Sequence, residues 1–412
     1  MKLTWTAVLV WMVPVILQAE MIEPGDNIQE VVQEALILAE EGDTIEFAPG
    51  IYDFKMGLSL DVDGVTIRGA GHDKTIFTFK NQNAGSEGLI ITSSGVTLED
   101  FAIEDAVGDA IKVRGAKGIT FRRVRTEWTG GPKSTNGAYG FYPVSSTDVL
   151  IDGCIVRGAS DAGVYVGQST NIIVRNCLVE YNVAGIEIEN CYYADVYNNI
   201  TAHNTGGILV FDLPGLPQQG GHHVRIFNNT IVNNDTKNFA PEGNIVGLVP
   251  TGTGLMLMAN RHVEAFGNYF DGNGTGNVII RAYYSVAKKK DDPNMDIYPE
   301  AVYVHDNIFG TGGFKPMGER GEMYADAAGK KNLPDIIWDG MMNPRKLVNG
   351  KLPKDMGIYI ENNGNADYVN LDLDTYFKDK NSNKPTWDIF ELTGSLPPLP
   401  KITIPGDRES TD

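Results

Sequence analysis

The sequence predicts an all-β fold, a single-stranded right-handed parallel β-helix built as a three-sheet solenoid with an N-terminal capping α-helix. Three observations predict it. Short Gly-led segments with in–out alternation recur along the chain. A second column of small, apolar or Asn residues follows each of them at a repeating interval. The period-2 alternation, rich in Val, Ile and Tyr, excludes an α-helical solenoid.

The chain opens with Lys2, an apolar run from Trp5 to Leu17 and then Gln18-Ala19-Glu20. That order reads as a cleaved signal peptide over residues 1–19. The run is shorter than the roughly 20 apolar residues of a membrane span. The expectation is an exported protein, periplasmic or extracellular, with no membrane insertion.

Asp26 is placed to cap a helix over about residues 27–40, in which Ile28, Val31, Val32, Ala35, Leu36 and Leu38 recur at helical spacing. Glu40-Glu41-Gly42-Asp43 ends it, and Thr44-Ile45-Glu46-Phe47 reads as the first strand. A helix at this place covers the strand edges and apolar core that a solenoid leaves open at its end.

The coils follow. Asp109-Ala110-Ile111-Lys112-Val113, Gly140-Phe141-Tyr142-Pro143, Gly163-Val164-Tyr165-Val166, Gly185-Ile186-Glu187-Ile188, Gly207-Ile208-Leu209-Val210 and Gly254-Leu255-Met256-Leu257 form one column, to which Gly357-Ile358-Tyr359-Ile360 is added. The second column holds Phe101, Val124, Cys154, Cys177, Asn199, Asn229, Asn268 and Asn307, with steps of 23, 30, 23, 22, 30, 39 and 39 residues. The base step suits one coil of three short strands, and longer steps are coils with insertions. Asn stacked one coil apart, about 4.8 Å, can hydrogen-bond along the stack. Cys154 and Cys177 share that column and read as buried thiols. With Cys191 the count is odd, which fits neither a disulfide framework nor a paired zinc motif. The β-helix domain is expected over 20–395. Leu396-Pro397-Pro398-Leu399-Pro400 and the polar residues after it read as a flexible tail, 396–412.

A formal charge of −19 and a pI near 4.7 exclude nucleic acid as partner, since phosphate binding needs a basic surface. A polyanionic ligand requires a local basic patch. One stretch offers it: Lys112, Arg114, Lys117, Arg122, Arg123, Arg125 and Lys133, with Glu127 the acid among them.

The capping helix, Gly42-Asp43-Thr44-Ile45 and Ala48-Pro49-Gly50-Ile51-Tyr52, followed by these coils, resembles the pectate-lyase-like superfamily. Asn171-Ile172-Ile173-Val174-Arg175-Asn176 and Ala184-Gly185-Ile186-Glu187-Ile188-Glu189-Asn190 are similar to bacterial exported parallel β-helix repeat proteins. The resemblance spans about residues 25 to 375. It implies the fold, and a superfamily of lyases, hydrolases, epimerases and non-catalytic members. The chain lacks the Asn-Thr-Asp, Asp-Asp and Gly-His-Gly set of the pectin-cleaving hydrolases, which Gly221-His222-His223 only grazes. It also lacks the Asp-Pro-His-Asp string of alginate epimerases, a counterpart to the calcium-binding aspartates of pectate lyases, and the Met/His tract of copper-maturation β-helix proteins.

Four insertions border one sheet: Glu127 to Ala138 and Asn238 to Thr253 before its strands, Leu213–Gly221 and Ser285–Glu300 after them. Loops on both sides of a regular sheet make an open groove. If Ile111, Phe141, Val164, Ile186, Ile208 and Leu255 point inward, then Lys112, Tyr142, Tyr165, Glu187, Leu209 and Met256 point out. Two residues on, Arg114, Val144, Gly167, Glu189, Phe211 and Met258 form the neighbouring outward column. Tyr142, Tyr165, Glu187 and Glu189 are the candidate catalytic residues, the tyrosines made more acidic by nearby cations. Lys112 and Arg114, with Asp212 and His222 leaning in from a loop, are the candidate substrate-binding residues. Each also has a plain reading: outward Lys, Arg and Glu form ordinary surface pairs, stacked tyrosines stabilise strands, and loop histidines are often incidental.

Three functions follow as expectations. The first is a carbohydrate-active lyase or epimerase acting on an acidic polysaccharide. The second is a non-catalytic protein binding a glycan or a protein partner in the same groove. The third is metal handling through Glu187, Glu189, Asp212 and His222. The residues specify no cofactor and no metal centre.

Overall fold

A chain that alternates in and out for a few residues and then meets a residue tolerant of left-handed backbone must turn a corner. Asn176, Asn198, Asn228, Asp306 and Asn362 supply such corners, with φ of 57°, 55°, 55°, 52° and 54°, a conformation that short polar side chains adopt at low cost. The computed structural model, which describes residues 21–284 and 292–407, winds these segments into a right-handed parallel β-helix. The expected signal peptide and residues 408–412 lie outside the described residues, as do residues 285–291 of the fourth insertion.

Each coil supplies one strand to each of three parallel sheets. In a middle coil these are Ala184–Glu189, Tyr192–Tyr197 and Ile200–Ala202. The first and second sheets hold 11 strands each and the third 10. Inward residues from all three close one continuous apolar core, with Ile186, Ile188, Cys191, Ala194 and Val196 fully buried in that coil.

The Asn column forms a ladder. The Asn199 Nδ2 donates to Asn229 Oδ1 at 3.0 Å, Asn229 to Asn268 at 2.9 Å, Asn268 to Asn307 at 3.0 Å and Asn307 to Asn363 at 3.0 Å. Cys177 stands at the head of the ladder, its amide donating to Asn199 Oδ1 at 3.0 Å. All three cysteines are buried and free. A second ladder runs parallel to it, from Asn182 through Asn204, Asn234 and Asn273 to Asn277, with steps of 2.9–3.1 Å.

The capping helix is Ile28–Leu38, and Ile28, Val32 and Leu36 are its buried stripe. Asp26 does not cap it; Asn27 holds that position and makes no side-chain cap bond. The helix covers the open end through two glutamines. Gln29 Oε1 accepts from the Lys55 and Met56 amides, and Gln33 both accepts from the Ser59 amide and donates to its carbonyl. Edge-strand groups that would otherwise offer themselves to another chain are thereby satisfied.

Two assignments change. The Gly357 segment does not continue the first sheet: Ile358–Glu361 pairs with Glu300–His305 in the second. Its Gly-Ile-Tyr-Ile string has the same alternation, which cannot report which wall it joins. The tail is not loose over its described length. It runs back along the outer face of the second sheet, burying Ile402 and Ile404 against Leu150 and Ile173. Leu399 and Ile402 amides donate to Glu264 and Asp195. Asp407 ends the strap with two bonds to the Arg175 guanidinium, at 2.7 and 2.8 Å.

Candidate acid–tyrosine site on the first sheet

Strand register brings the two outward columns together. Lys112 pairs with Tyr142, Tyr165 with Glu187, and Glu187 with Leu209; in the second column Val144, Gly167, Glu189 and Phe211 follow Arg114. Tyr142 stands beside Tyr165 with ring centroids 5.0 Å apart. All these residues project from the outer face of the first sheet, as parity requires.

The face is not an open groove along its length. From Leu209 onward the outward residues form a second apolar core. Leu209, Phe211, Met256, Met258, Ile279 and Ile337 are at most 1% exposed. They lie beneath Val246 and Val249 of the second insertion, Met295 and Ile297 of the fourth, and Tyr324 and Ala327 of a helix, Gly318–Ala328. Apolar side chains repeated every coil on an outer face demand a cover, because exposed they would leave a large hydrophobic patch. Only the N-terminal part is open: Ser59 and Arg114 are exposed, and Ile90, Lys112 and Tyr142 are partly so.

At the edge of the roof lies a cluster of acids and tyrosines. Tyr165, Glu187 and Glu189 are 6%, 1% and 6% exposed. The Tyr165 phenol donates to Glu189 Oε1 at 2.5 Å, and Gln168 Nε2 donates to the same oxygen at 3.2 Å. Glu187 stands beside Glu189 on the same outer face and each shifts the other's protonation, while Glu187 Oε2 is buried with no hydrogen-bond partner among the described residues. Asp161 joins them, accepting from Asn244 of the second insertion at 2.8 Å. Tyr139, Tyr142 and Tyr165 close over the acids with centroids 4.4–5.0 Å apart. Gly167 permits this arrangement, since a side chain there would overlap the Tyr165 ring.

Burial sets the protonation of the cluster. It raises Glu189 to about 7 against the opposing hydrogen bonds from Tyr165 and Gln168. It raises Asp161 to about 7, helped by the charge of Glu189. Glu187 is pushed well above the carboxylate range by burial and by its acidic neighbours, so it carries the proton of the pair. The tyrosines are not acidified. Burial and the neighbouring carboxylates raise Tyr165 and Tyr139, and for Tyr142 burial outweighs the lowering effect of Lys112. At neutral pH all three are hydrogen-bond donors.

The expected basic patch is dispersed. Lys112 and Arg114 stay on the first sheet. Arg122 turns to the second beside Glu99, Arg123 pairs with Asp100, and Arg125, on the third, pairs with Glu104 and Glu127. Consecutive residues of one coil face three directions, so charge clustered in sequence is not clustered in space. Lys112 Nζ lies 3.2 Å from Glu87, 3.3 Å from Asp109 and 5.0 Å from the Tyr142 ring centroid. Burial alone lowers its pKa, and the two acids reverse this.

Asp212 and His222 do not join the hydrogen bonds of the cluster, although the charge of Asp212 helps to raise Glu189. Asp212 is fully buried and accepts from the Gly220 and Gly221 amides, so it anchors its loop. His222 opens the next strand, His222–Phe227 of the second sheet, and stacks on Tyr192 at 4.3 Å. Burial and His223 lower it to about 4. With Asp212 and His222 placed there, the four proposed metal ligands do not converge, and no group of three or more His, Cys, Asp or Glu among the described residues is arranged to hold a metal.

Sequence reasoning missed Asp161, Tyr139, Gln168 and Asn244. Asp161 had no repeat signal: the register that joins Ile111, Phe141 and Val164 aligns Asp109 with Ala162 and leaves Asp161 one position earlier. Asn244 had none, because an insertion of irregular sequence does not announce what it folds onto.

A family model described as the right-handed β-helix region matches residues 63–273. Among solved structures, the A-module of the mannuronan C-5 epimerase AlgE4 from Azotobacter vinelandii is 14% identical, with 81% of this chain and 89% of that one covered and a TM-score of 0.53. DFA-IIIase from Arthrobacter chlorophenolicus, in complex with GF2, is 11% identical, covering 76% and 88% at a TM-score of 0.44. An alginate lyase from Paenibacillus is 14% identical, covering 61% and 96% at 0.33. At these identities the likeness is one of fold. No curated protein sequence matches the chain.

Proposed function

This chain belongs to the right-handed β-helix family, and from that premise we propose that it is a carbohydrate-active enzyme of the lyase or epimerase kind, acting on an acidic polysaccharide at the acid–tyrosine cluster. One observation carries the proposal: the Tyr165 phenol donates to Glu189, whose carboxyl is raised by burial to about 7 beside a protonated Glu187. Perturbed carboxyls of this kind concentrate at functional sites.

The shared protonation favours proton abstraction over hydrolysis: Glu187 keeps its proton beside Glu189, so the two act as one acid–base unit. In this reading Lys112 and Arg114 receive the carboxylate of a uronate, which lowers the cost of charge developing beside it. The Glu189 carboxylate takes the proton from the carbon next to that group. In elimination, the electron pair forms the C4–C5 double bond as the C4–O bond breaks, and the leaving oxygen takes the Tyr165 proton, which Glu189 returns. In epimerisation the carbon is reprotonated from its opposite face by water instead, and Glu189 gives its proton up to solvent.

The test is incubation with alginate, chosen first because the AlgE4 module shares the fold, then pectate and other uronates. Unsaturated products or inverted C5 centres, lost in Glu189→Gln, are expected. No product from any of them overturns the proposal. A second reading, glycan binding without turnover, is favoured by the burial of Tyr165, Glu187 and Glu189; it predicts binding that survives Glu189→Gln, and no product. We also infer from the apolar run after Lys2 that the protein works outside the cytoplasm, which fractionation of expressing cells tests.

A further inference from the structure

We propose that the site acts on the end of a chain and not on its interior, an inference that rests on the reading above and adds a direction to it. A glycan on this face lies across the strands, along the solenoid axis. On one side of the acid cluster the outer face is open for the strands Met56–Leu60, Ala84–Ile91, Ile111–Arg114 and Tyr139–Val144. Three strand spacings separate the first from the last, about 14 Å, room for a short run of sugars. On the other side the path is closed. Leu209, one rung beyond Glu187, is fully buried, and Phe211 beside Glu189 is 1% exposed. The roof above them is apolar protein and leaves no course for a polar chain to continue.

The roof is also latched to the reacting groups. Asn244 of the second insertion donates to Asp161 at 2.8 Å, and Val249 of the same insertion packs near Gly206 and Leu209. The wall that stops the chain and the carboxyls that receive it are therefore one assembly. Charge points the same way. Of the six cations on or beside the strands of that coil, Lys112 and Arg114 belong to this face and Lys117, Arg122, Arg123 and Arg125 do not, and Lys112 is shared with Glu87 and Asp109. That suits one uronate held at the reacting position, not a polyanion gripped along its length.

The experiment is a time course on long polymannuronate, polyguluronate and polygalacturonate, with products sized by chromatography and altered residues located by NMR. Chain-end action releases the smallest products from the first minutes while the remaining polymer keeps its length; for an epimerase, inverted centres appear at terminal residues first. A ladder of intermediate fragments with an early fall in viscosity, or inversion inside the chain, overturns the inference and leaves the acid–base reading standing. No product from any polymer overturns both. Asn244→Ala, which cuts the latch to Asp161, is expected to lengthen the earliest products; an unchanged distribution, in a variant that melts as the parent does, counts against the roof as the stop.

Discussion

Glu189 is the residue on which the chemistry turns, and its burial gives two separate expectations. Removing its charge in Glu189→Gln should lower turnover by about 10²–10⁴-fold, the usual worth of a positioned acid–base group, with a smaller loss for Tyr165→Phe; steady-state rates on uronate polymers check both. The same burial costs stability. Asp161 and Glu189 titrate at about 7 and Asp212 at about 6 in the fold, above about 4 for the unfolded chain. Above that value the unfolded chain gives up protons that the native state keeps, so these groups make stability fall as pH rises towards 7. His222, lowered to about 4, acts in the opposite sense over nearly the same window. The diagnostic is therefore a difference: Glu189→Gln should melt at a higher temperature than the parent at about pH 8 and no higher at about pH 4. Alternation in the sequence was sufficient to say which side of the strand Lys112, Tyr165 and Glu187 occupy. It carried no information on what lies above them, and so the lowered tyrosine pKa values expected for an open, cationic face were wrong.

The coil is the element that the sequence displayed best, because each coil repeats the same physical demand. An Asn at the corner between the second and third sheets must satisfy the amide of the preceding coil and its own carboxamide at once, and that requirement recurs from rung to rung. Asn229 donates to Asn268 and to the Val196 carbonyl, and accepts from the Asn199 amide and side chain. Asn229→Ala is expected to cost about 1–3 kcal/mol, as befits buried partners left unsatisfied, read from urea unfolding, while an exposed position such as Lys74→Ala should be nearly neutral. The second ladder was equally visible in principle: Asn182, Asn204, Asn234 and Asn273 each follow the first column by five residues. The insertions were located correctly on both sides of one sheet, yet their conformation was not legible. Whether an insertion walls a trough or lies down across it depends on the apolar faces it meets, and Leu209, Met256 and Ile279 favour the latter.

On the scale of the whole molecule, a solenoid is held by contacts between neighbouring coils, so each coil depends on the two beside it. The C-terminal strap departs from that rule. It ties Glu264, Asp195 and Arg175 into one length of chain. Truncation after Ser395 should destabilise the protein by about 3–5 kcal/mol, the cost of removing one member of a buried ion pair, plus the loss of Ile402 and Ile404 burial; calorimetry should register a lower melting temperature. Asp407→Asn alone should reproduce part of that loss. The strap escaped the sequence reading because its prolines and short polar stretches signal the end of regular structure, and an irregular segment that docks has the same composition as one that does not.

That strap also sets an order of events during synthesis. Arg175 leaves the ribosome 232 residues before Asp407 does. The middle coils can stack as they emerge, but their closing clasp reaches them only after all of those coils have been made. A polypeptide cut short before Leu396 would display nearly every rung and still lack its fastener.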